Sequence, residues 1–266
     1  MKPDREGPGM ESGSQLREVL SKRHRLLRVF LDGPKTKPEL VSKIDQSRST
    51  VDRAVAELLE IECIEPATVA GNEYRITLAG ELALQTYLEY CETSEKLQSH
   101  TSLLNAVPSD AEVSKTFLSA ADVYSSTKTP DVATQPAIEL LPEATKLTGT
   151  APVVYSEYFE VLNEWIQKED SALELVLERN LFDALEDNYR SKFASMKDSD
   201  SVKIYVFDEQ IPYAIWLIDH DATTHAGITI YEDGGIKGTL STDAPQAVHW
   251  AREEYKQYKT ESSRVI

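Results

Sequence analysis

The chain has 266 residues, 41% of them apolar, with 28 basic and 45 acidic side chains and a formal net charge of −17. This length suits one large or two modest domains. No apolar run approaches the roughly 18 residues that cross a bilayer, so no membrane partner is expected, and the first residues lack the apolar stretch of a secretory signal. Two cysteines, Cys63 and Cys91, with no C-x-x-C pair, exclude a thiolate zinc cluster and argue against a disulfide framework, which points to a reducing cytoplasm.

Residues 1–14, rich in Gly, Ser and charge, read as a disordered tail. A first helix is expected from Gln15 to Leu31, ended by Asp32-Gly33-Pro34. Lys35-Thr36-Lys37-Pro38 starts a second helix, with Thr36 or Lys37 near the N-cap and Pro38 just inside. Asp45-Gln46-Ser47 is the turn, and Ser47 caps a third helix. There Val51, Ala54, Val55, Leu58 and Leu59 recur at spacings of three and four and mark the core side. Arg48, Ser49, Thr50 and Arg53 are left outward at the N-terminal end. These are types that bond phosphates and base edges. Lys22 and Arg23 on the first helix, and Lys35 and Lys37 beside the second, are candidates to hold phosphates. For these three helices alone, a plain bundle with a solvated face is the alternative.

Two short strand-like runs follow, Cys63–Val69 and Tyr74–Leu78. Between them Ala70-Gly71-Asn72-Glu73 has residue types suited to positive φ. A hairpin directly after a third helix is the wing of a winged helix. Asn72, Tyr74 and Arg75 are its candidate DNA contacts, and Glu73 at the same tip opposes deep insertion. Thr77 caps the next helix. Residues 15–80 therefore read as a winged helix-turn-helix DNA-binding domain, whose partner is double-stranded DNA.

The acid is unevenly placed. From Gln15 to Gly80 eleven basic and ten acidic side chains leave +1; from Glu81 to Ile266 fifteen and thirty-two leave −17. That asymmetry predicts two functional halves. Between them the helical pattern continues from Leu78 to Leu104, with a stripe of Leu84, Tyr87, Leu88, Cys91, Leu97, Thr101 and Leu104. Residues 81–107 are expected to be a linking helix that pairs with its twin in a homodimer, which suits palindromic half-sites. Ser109 and Glu112 resemble a capping box for a short further helix.

Residues 108–260 read as an α/β domain with βαβ units and antiparallel hairpins. Helices are expected at Ala137–Ala144 (despite Pro142), Glu157–Lys168, Leu181–Met196 and Ala244–Tyr258. Strands are expected at Leu147–Val154, Leu173–Leu177, Val202–Phe207, Tyr213–Ile218, Ala226–Tyr231 and Ile236–Leu240, with Gly234-Gly235 a tight turn. A small-molecule effector would bind at strand ends, where Tyr155, Glu178, Arg179, Asp208, Trp216 and His225 are candidates. Each also has a bland reading: Trp216 as core, Glu178 and Arg179 as surface charges.

The stretches "TKPELVSKIDQSRSTVDRAVAELLE", "YRITLAGELAL", "APVVYSEYFEVL", "LELVLERNLFDAL", "IPYAIWLID" and "HAGITIYEDGGIKGTLSTDAPQAVHWAREEYKQY" resemble archaeal winged helix-turn-helix transcriptional regulators of the methanogenesis-regulator type. The resemblance covers nearly everything after residue 15, and that group is common in salt-loving archaea, whose cytoplasmic proteins share the acidic excess. It implies a C-terminal domain similar to the phospholipase-D-like sensor half of TrmB-type regulators, used to control transcription. No His-x-Lys-x-x-x-x-Asp motif, nucleophile elbow, phosphate-cradling loop or HExxH is present, so no enzyme and no cofactor are expected. Asp219, His220, Asp221 and His225 suggest a metal site, but a solvated loop between strands is the stronger reading. The expectation is a cytoplasmic, dimeric, sequence-specific transcriptional regulator with a non-catalytic sensing or assembly domain. The alternatives are a protein-interaction module built on the winged helix and a cryptic phosphodiester hydrolase.

Overall fold

The computed structural model describes residues 9–266 except 69–70, 110, 126–127, 169, 191–192, 194–198 and 200. The chain divides into two compact units, Met1–Glu95 and Lys96–Ile266. No helix among the described residues is long and apolar enough to cross a membrane.

In the first unit α1 spans Gly9–Val29 and closes in a 3-10 turn, Phe30–Asp32. The helix therefore claims residues 9–14 of the expected tail. Adding a turn to an existing helix costs far less than nucleating one, so the amphipathic stretch after Gln15 extends upstream through poor helix formers. Thr36 caps α2 (Lys37–Ile44) in a capping box with Glu39. Asp45, at φ 49°, reverses the chain, and Ser47 caps α3 (Arg48–Glu60) by accepting from the Thr50 N–H.

A three-stranded sheet follows in the order β1-β3-β2, with β1 Lys35–Thr36, β2 Ile64–Pro66 and β3 Glu73–Ile76. The wing strands are shorter than expected. Gly71, Asn72 and Glu73 do not take positive φ, and Val69 and Ala70 lie outside the described residues. Thr77 accepts from the Gly80 N–H to cap α4, Leu78–Ser99. A Cβ on Gly80 would stand 2.1 Å from the Cys63 carbonyl oxygen, so only glycine lets α4 start this close to the hairpin. Leu27, Phe30, Leu40, Val51, Leu58, Ile64 and Leu84 are fully buried and form the core of this unit.

The expected helix to Leu104 is interrupted at His100 and resumes as one turn, α5, Thr101–Leu104. Ser114, not Ser109, caps the next helix: its hydroxyl accepts from the Thr116 and Phe117 N–H groups at the start of α6, Lys115–Ala120.

An eight-stranded sheet organises the second unit in the order β11-β7-β6-β5-β8-β9-β10-β4. The strands are β4 Asp122–Tyr124, β5 Lys146–Ala151, β6 Ala172–Glu178, β7 Val202–Phe207, β8 Ala214–Asp219, β9 Thr224–Glu232, β10 Gly235–Thr242 and β11 Ser263–Arg264. β5, β6 and β7 are parallel, joined by α8 (Ser156–Trp165) and α9 (Arg179–Asn188), and the other pairings are antiparallel. The expected helix Leu181–Met196 ends instead at Asn188, where Tyr189 leaves helical geometry at φ −123°; Met196 itself lies outside the described residues. α7, Gln135–Leu140, stops before Pro142, which sits in a 3-10 turn. The β9–β10 turn is Asp233-Gly234, at φ 51° and 77°, one residue earlier than expected, and Gly235 opens the strand.

Alternation splits β8 between two cores. Ile215 and Leu217 pack with α6 and α10 (Pro245–Thr260), while Trp216 and Ile218 pack with α8 and α9. The result is a three-layer α/β/α domain.

Candidate nucleic-acid interface

The third helix divides by burial. Val51, Ala54, Val55 and Leu58 are buried, while Arg48, Ser49 and Arg53 are exposed and Thr50 is half-buried. The Ser47 hydroxyl also reaches the hydroxyls of Ser49 and Thr50, at 3.0 and 2.8 Å. The exposed end of α3 is its N-terminus, where free backbone N–H groups and the helix dipole favour an anion.

The remaining cations differ in what they already hold. Arg23 on α1 donates from Nε to Glu57 Oε2 at 2.7 Å and from Nη2 to Oε1 at 3.3 Å, which pins α1 to α3. That donation holds the Glu57 carboxyl below its ordinary value. Lys37 pairs with Asp52 at 2.8 Å, which ties the start of α2 to α3. The bond raises the Lys37 pKa and lowers that of Asp52. Lys35 Nζ donates to the carbonyls of Asp32, Gly33 and Pro34. Arg75 pairs with Glu65 directly across the wing strands at 2.6 Å. Lys22 forms an exposed pair with Glu18, one turn away on α1. Asn72 is exposed at the wing, and Tyr74 is half-buried against the core.

Arg48 and Arg53 enter no ion pair among the described residues. The same holds for Arg25, which lines a cleft of about 90 Å³ with Lys22, Gln46 and Thr50. Arg25 and Gln46 are thus neighbours of the α3 N-terminus that the candidate set omits. The signal was present, since Arg25 follows Lys22 by three residues and the two share a helix face.

The effector candidates fall in separate places. Glu178, Arg179 and Asp208 meet where β6 and β7 end: Arg179 pairs with Asp208 at 2.8 Å and Glu178 accepts from the Ile211 N–H. Tyr155 donates to the Gly234 carbonyl in the β9–β10 turn. Trp216 is buried and its Nε1–H donates to Thr229. His225 meets His220 edge to face at 5.8 Å. Among the described residues no hydrogen bond or ion pair joins the Glu178, Arg179 and Asp208 group to Tyr155, Trp216 or His225. Of the acidic loop, Asp219 is bonded by Thr224 and Arg252, and His220 Nε2 contacts the Leu140 carbonyl.

A comparison with curated proteins gives no match. Among solved structures, the archaeal chromatin protein TrmBL2, described as showing a novel mode of DNA binding, is 13% identical and aligns over 95% of this chain and 99% of its own at a TM-score of 0.42. A polyphosphate kinase from Porphyromonas gingivalis is 12% identical and aligns over 55% of this chain and 27% of its own at 0.39. TM-scores this low establish neither fold nor function. Two family models match, the HVO_A0261 N-terminal domain over residues 14–99 and the middle domain of the methanogenesis regulatory protein FilR1 over residues 130–261. The first takes in the winged helix and α4, and the second takes in most of the α/β unit. The chain belongs to the archaeal winged helix-turn-helix transcriptional regulators of the methanogenesis-regulator type.

Proposed function

We propose that this chain is a sequence-specific regulator that binds double-stranded DNA through its winged helix, as a homodimer, and that its α/β unit senses a small-molecule effector without catalysis. The observation that carries the reading is the end of α3: among the described residues Arg48 and Arg53 are exposed and hold no carboxylate, whereas Arg23, Lys35, Lys37 and Arg75 are bonded within the unit. In this reading Arg48, Ser49, Thr50 and Arg53 enter the major groove. Lys22 and Arg25 meet phosphates along one flank, and Asn72 lies beside the backbone at the wing.

Family membership supports transcriptional control. The apolar side chains that α4 leaves exposed, Leu78, Leu82 and Tyr90, support pairing with a second copy. The excess of acid after residue 80 supports a division of labour, since a negative field discourages loose binding to nucleic acid away from the basic face.

Fluorescence anisotropy of the full chain on its own promoter duplex and on a scrambled duplex tests the reading. Each lost bidentate contact from arginine to a base costs about 1–3 kcal/mol. The double variant Arg48→Ala/Arg53→Ala should therefore bind the promoter at least ~30-fold more weakly, with an unchanged melting temperature. Equal affinity of the native chain for both duplexes, together with an empty genome-wide crosslinking map, would overturn the reading in favour of a winged helix used for protein contact.

A further inference from the structure

Between the sheet and the layer formed by α7 and α8 lies a cavity of about 120 Å³. It is half-open to the surface, with exposed Ile138 in its lining, so a ligand can enter, and its volume approaches that of an aliphatic cavity of roughly 150 Å³ that accepts benzene. The wall chemistry is selective. Among the described residues that line it, none is charged, and the polar side chains are Thr150, Thr229, Tyr158, Tyr231 and the indole N–H of Trp216.

Most of these are already engaged. Thr150 Oγ1 accepts from the Ile215 N–H at 2.9 Å. Thr229 Oγ1 accepts from Trp216 Nε1 at 3.2 Å and shares a 3.0 Å bond with Thr239. The Tyr158 side chain bonds Thr134. The Tyr231 hydroxyl has no hydrogen-bond partner among the described residues, and burial raises its pKa, so it is a protonated donor. A polyol would leave several hydroxyls unpaired here, and a charged ligand would meet no counter-charge.

The space is also held open. A Cβ on Gly227 would lie 1.9 Å from the Trp216 ring, so glycine lets the indole lie flat on β9. Any side chain there would drive the ring off the strand.

We propose that this cavity is a ligand site for a small, uncharged, largely apolar molecule the size of a six-membered ring, carrying one acceptor oxygen for Tyr231. Occupancy alters DNA affinity only if the sensor reading above also holds, so the two are tested separately.

The probes are cyclohexanone, cyclohexane and benzoate, each added to the full-length protein and followed by saturation-transfer NMR and thermal melting. Cyclohexanone and cyclohexane should bind and raise the melting temperature, and benzoate should not. Tyr231→Phe should weaken cyclohexanone about fivefold and leave cyclohexane unchanged. Ala151→Leu and Leu162→Phe fill the cavity from opposite walls, and either one that folds should lose both rings. No transfer to either ring in the native chain, benzoate binding as tight as cyclohexanone, or undiminished binding in a folded filled variant would overturn the site. Promoter anisotropy with cyclohexanone present reports on the sensor reading alone: binding without any change in DNA affinity keeps the site and rejects that reading.

Discussion

The Arg23 guanidinium gives two donors to the two oxygens of Glu57 on a neighbouring helix, and its side chain is only 15% exposed. A cation so placed acts on the fold before it acts on DNA. Hydrogen bonds to charged groups in partly buried pairs are worth more than exposed ion pairs, so Arg23→Ala should cost about 1–2 kcal/mol at pH 7. The pH dependence has a definite sign. The Glu57 carboxyl is held below its ordinary value by the Arg23 bond, so its contribution is fully present above the unfolded glutamate pKa of about 4.3 and fades as the pH falls through the depressed folded value. Urea unfolding of the native chain and Arg23→Ala should differ at pH 7 and converge at the lowest pH at which both still fold. An equal gap at every pH would mean that the loss is one of packing rather than charge. Residue types and spacing alone do not reveal this role, because Glu57 lies 34 positions away and only the helix packing brings it to Arg23.

At the scale of elements, periodicity found what is long and amphipathic and missed what is short. The three helices of the winged unit and the central strands β5–β10 are legible because burial repeats along them at 3.6 or 2 residues. β1, β4 and β11 have two or three residues each, too few to show a period, and they exist because a neighbouring strand offers its free edge. The Asp233-Gly234 turn was displaced by one residue because "DGG" offers two glycine positions and only the strand register chooses. The N-terminal end of α3 was legible for the same reason as the helix, since its buried face fixes the exposed one. The pairing of the other cations was not, because charge counts do not show partners.

The expected α4 stripe starts by packing inward: Leu84 is buried, and Tyr87 and Leu88 lie against the core of the winged unit. The apolar side chains left outward are others, Leu78, Leu82 and Tyr90, which stay 72%, 57% and 66% exposed. Leu82 and Tyr90 line a groove of about 670 Å³ with Leu16 and Leu20 of α1. If a second copy covers this face, Leu82→Glu/Tyr90→Glu places four carboxylates in one apolar contact and should convert dimer to monomer in light scattering. The melt of the winged unit should be nearly unchanged, because both side chains are already exposed. A variant that stays dimeric would place the pairing surface elsewhere.

For the whole molecule the question is how a chain of net charge −17 associates with a polyanion. The winged unit answers only in part, since its near-neutral sum conceals a sharper distinction between cations that hold partners and those that do not. Arg25, Arg48 and Arg53 hold none among the described residues, whereas Arg23, Lys35, Lys37 and Arg75 are bonded within the unit. Counterion release counts only the cations that reach phosphates, with a slope of about −0.9 in log K against log salt per contact on duplex DNA. Even with Arg25, Arg48 and Arg53, the unpaired arginines at or beside the α3 N-terminus, all counted as reaching phosphates, the proposed dimer makes about six contacts and a slope near −5. If Arg23, Lys37 and Arg75 also left their carboxylates, the dimer would gain up to about six more contacts and the slope would pass −10. A titration of promoter affinity between about 0.1 and 1 M potassium chloride separates the two cases. A slope near −5 leaves the internal pairs intact on DNA. A slope beyond −8 means that Lys37 and Arg75 exchange Asp52 and Glu65 for phosphate, and binding would then loosen the contacts that hold α2 and the wing. The shallow slope is expected here, because it asks no carboxylate beside the duplex to lose its cation, and it would let a regulator of this charge keep its DNA at salt concentrations that release more basic proteins.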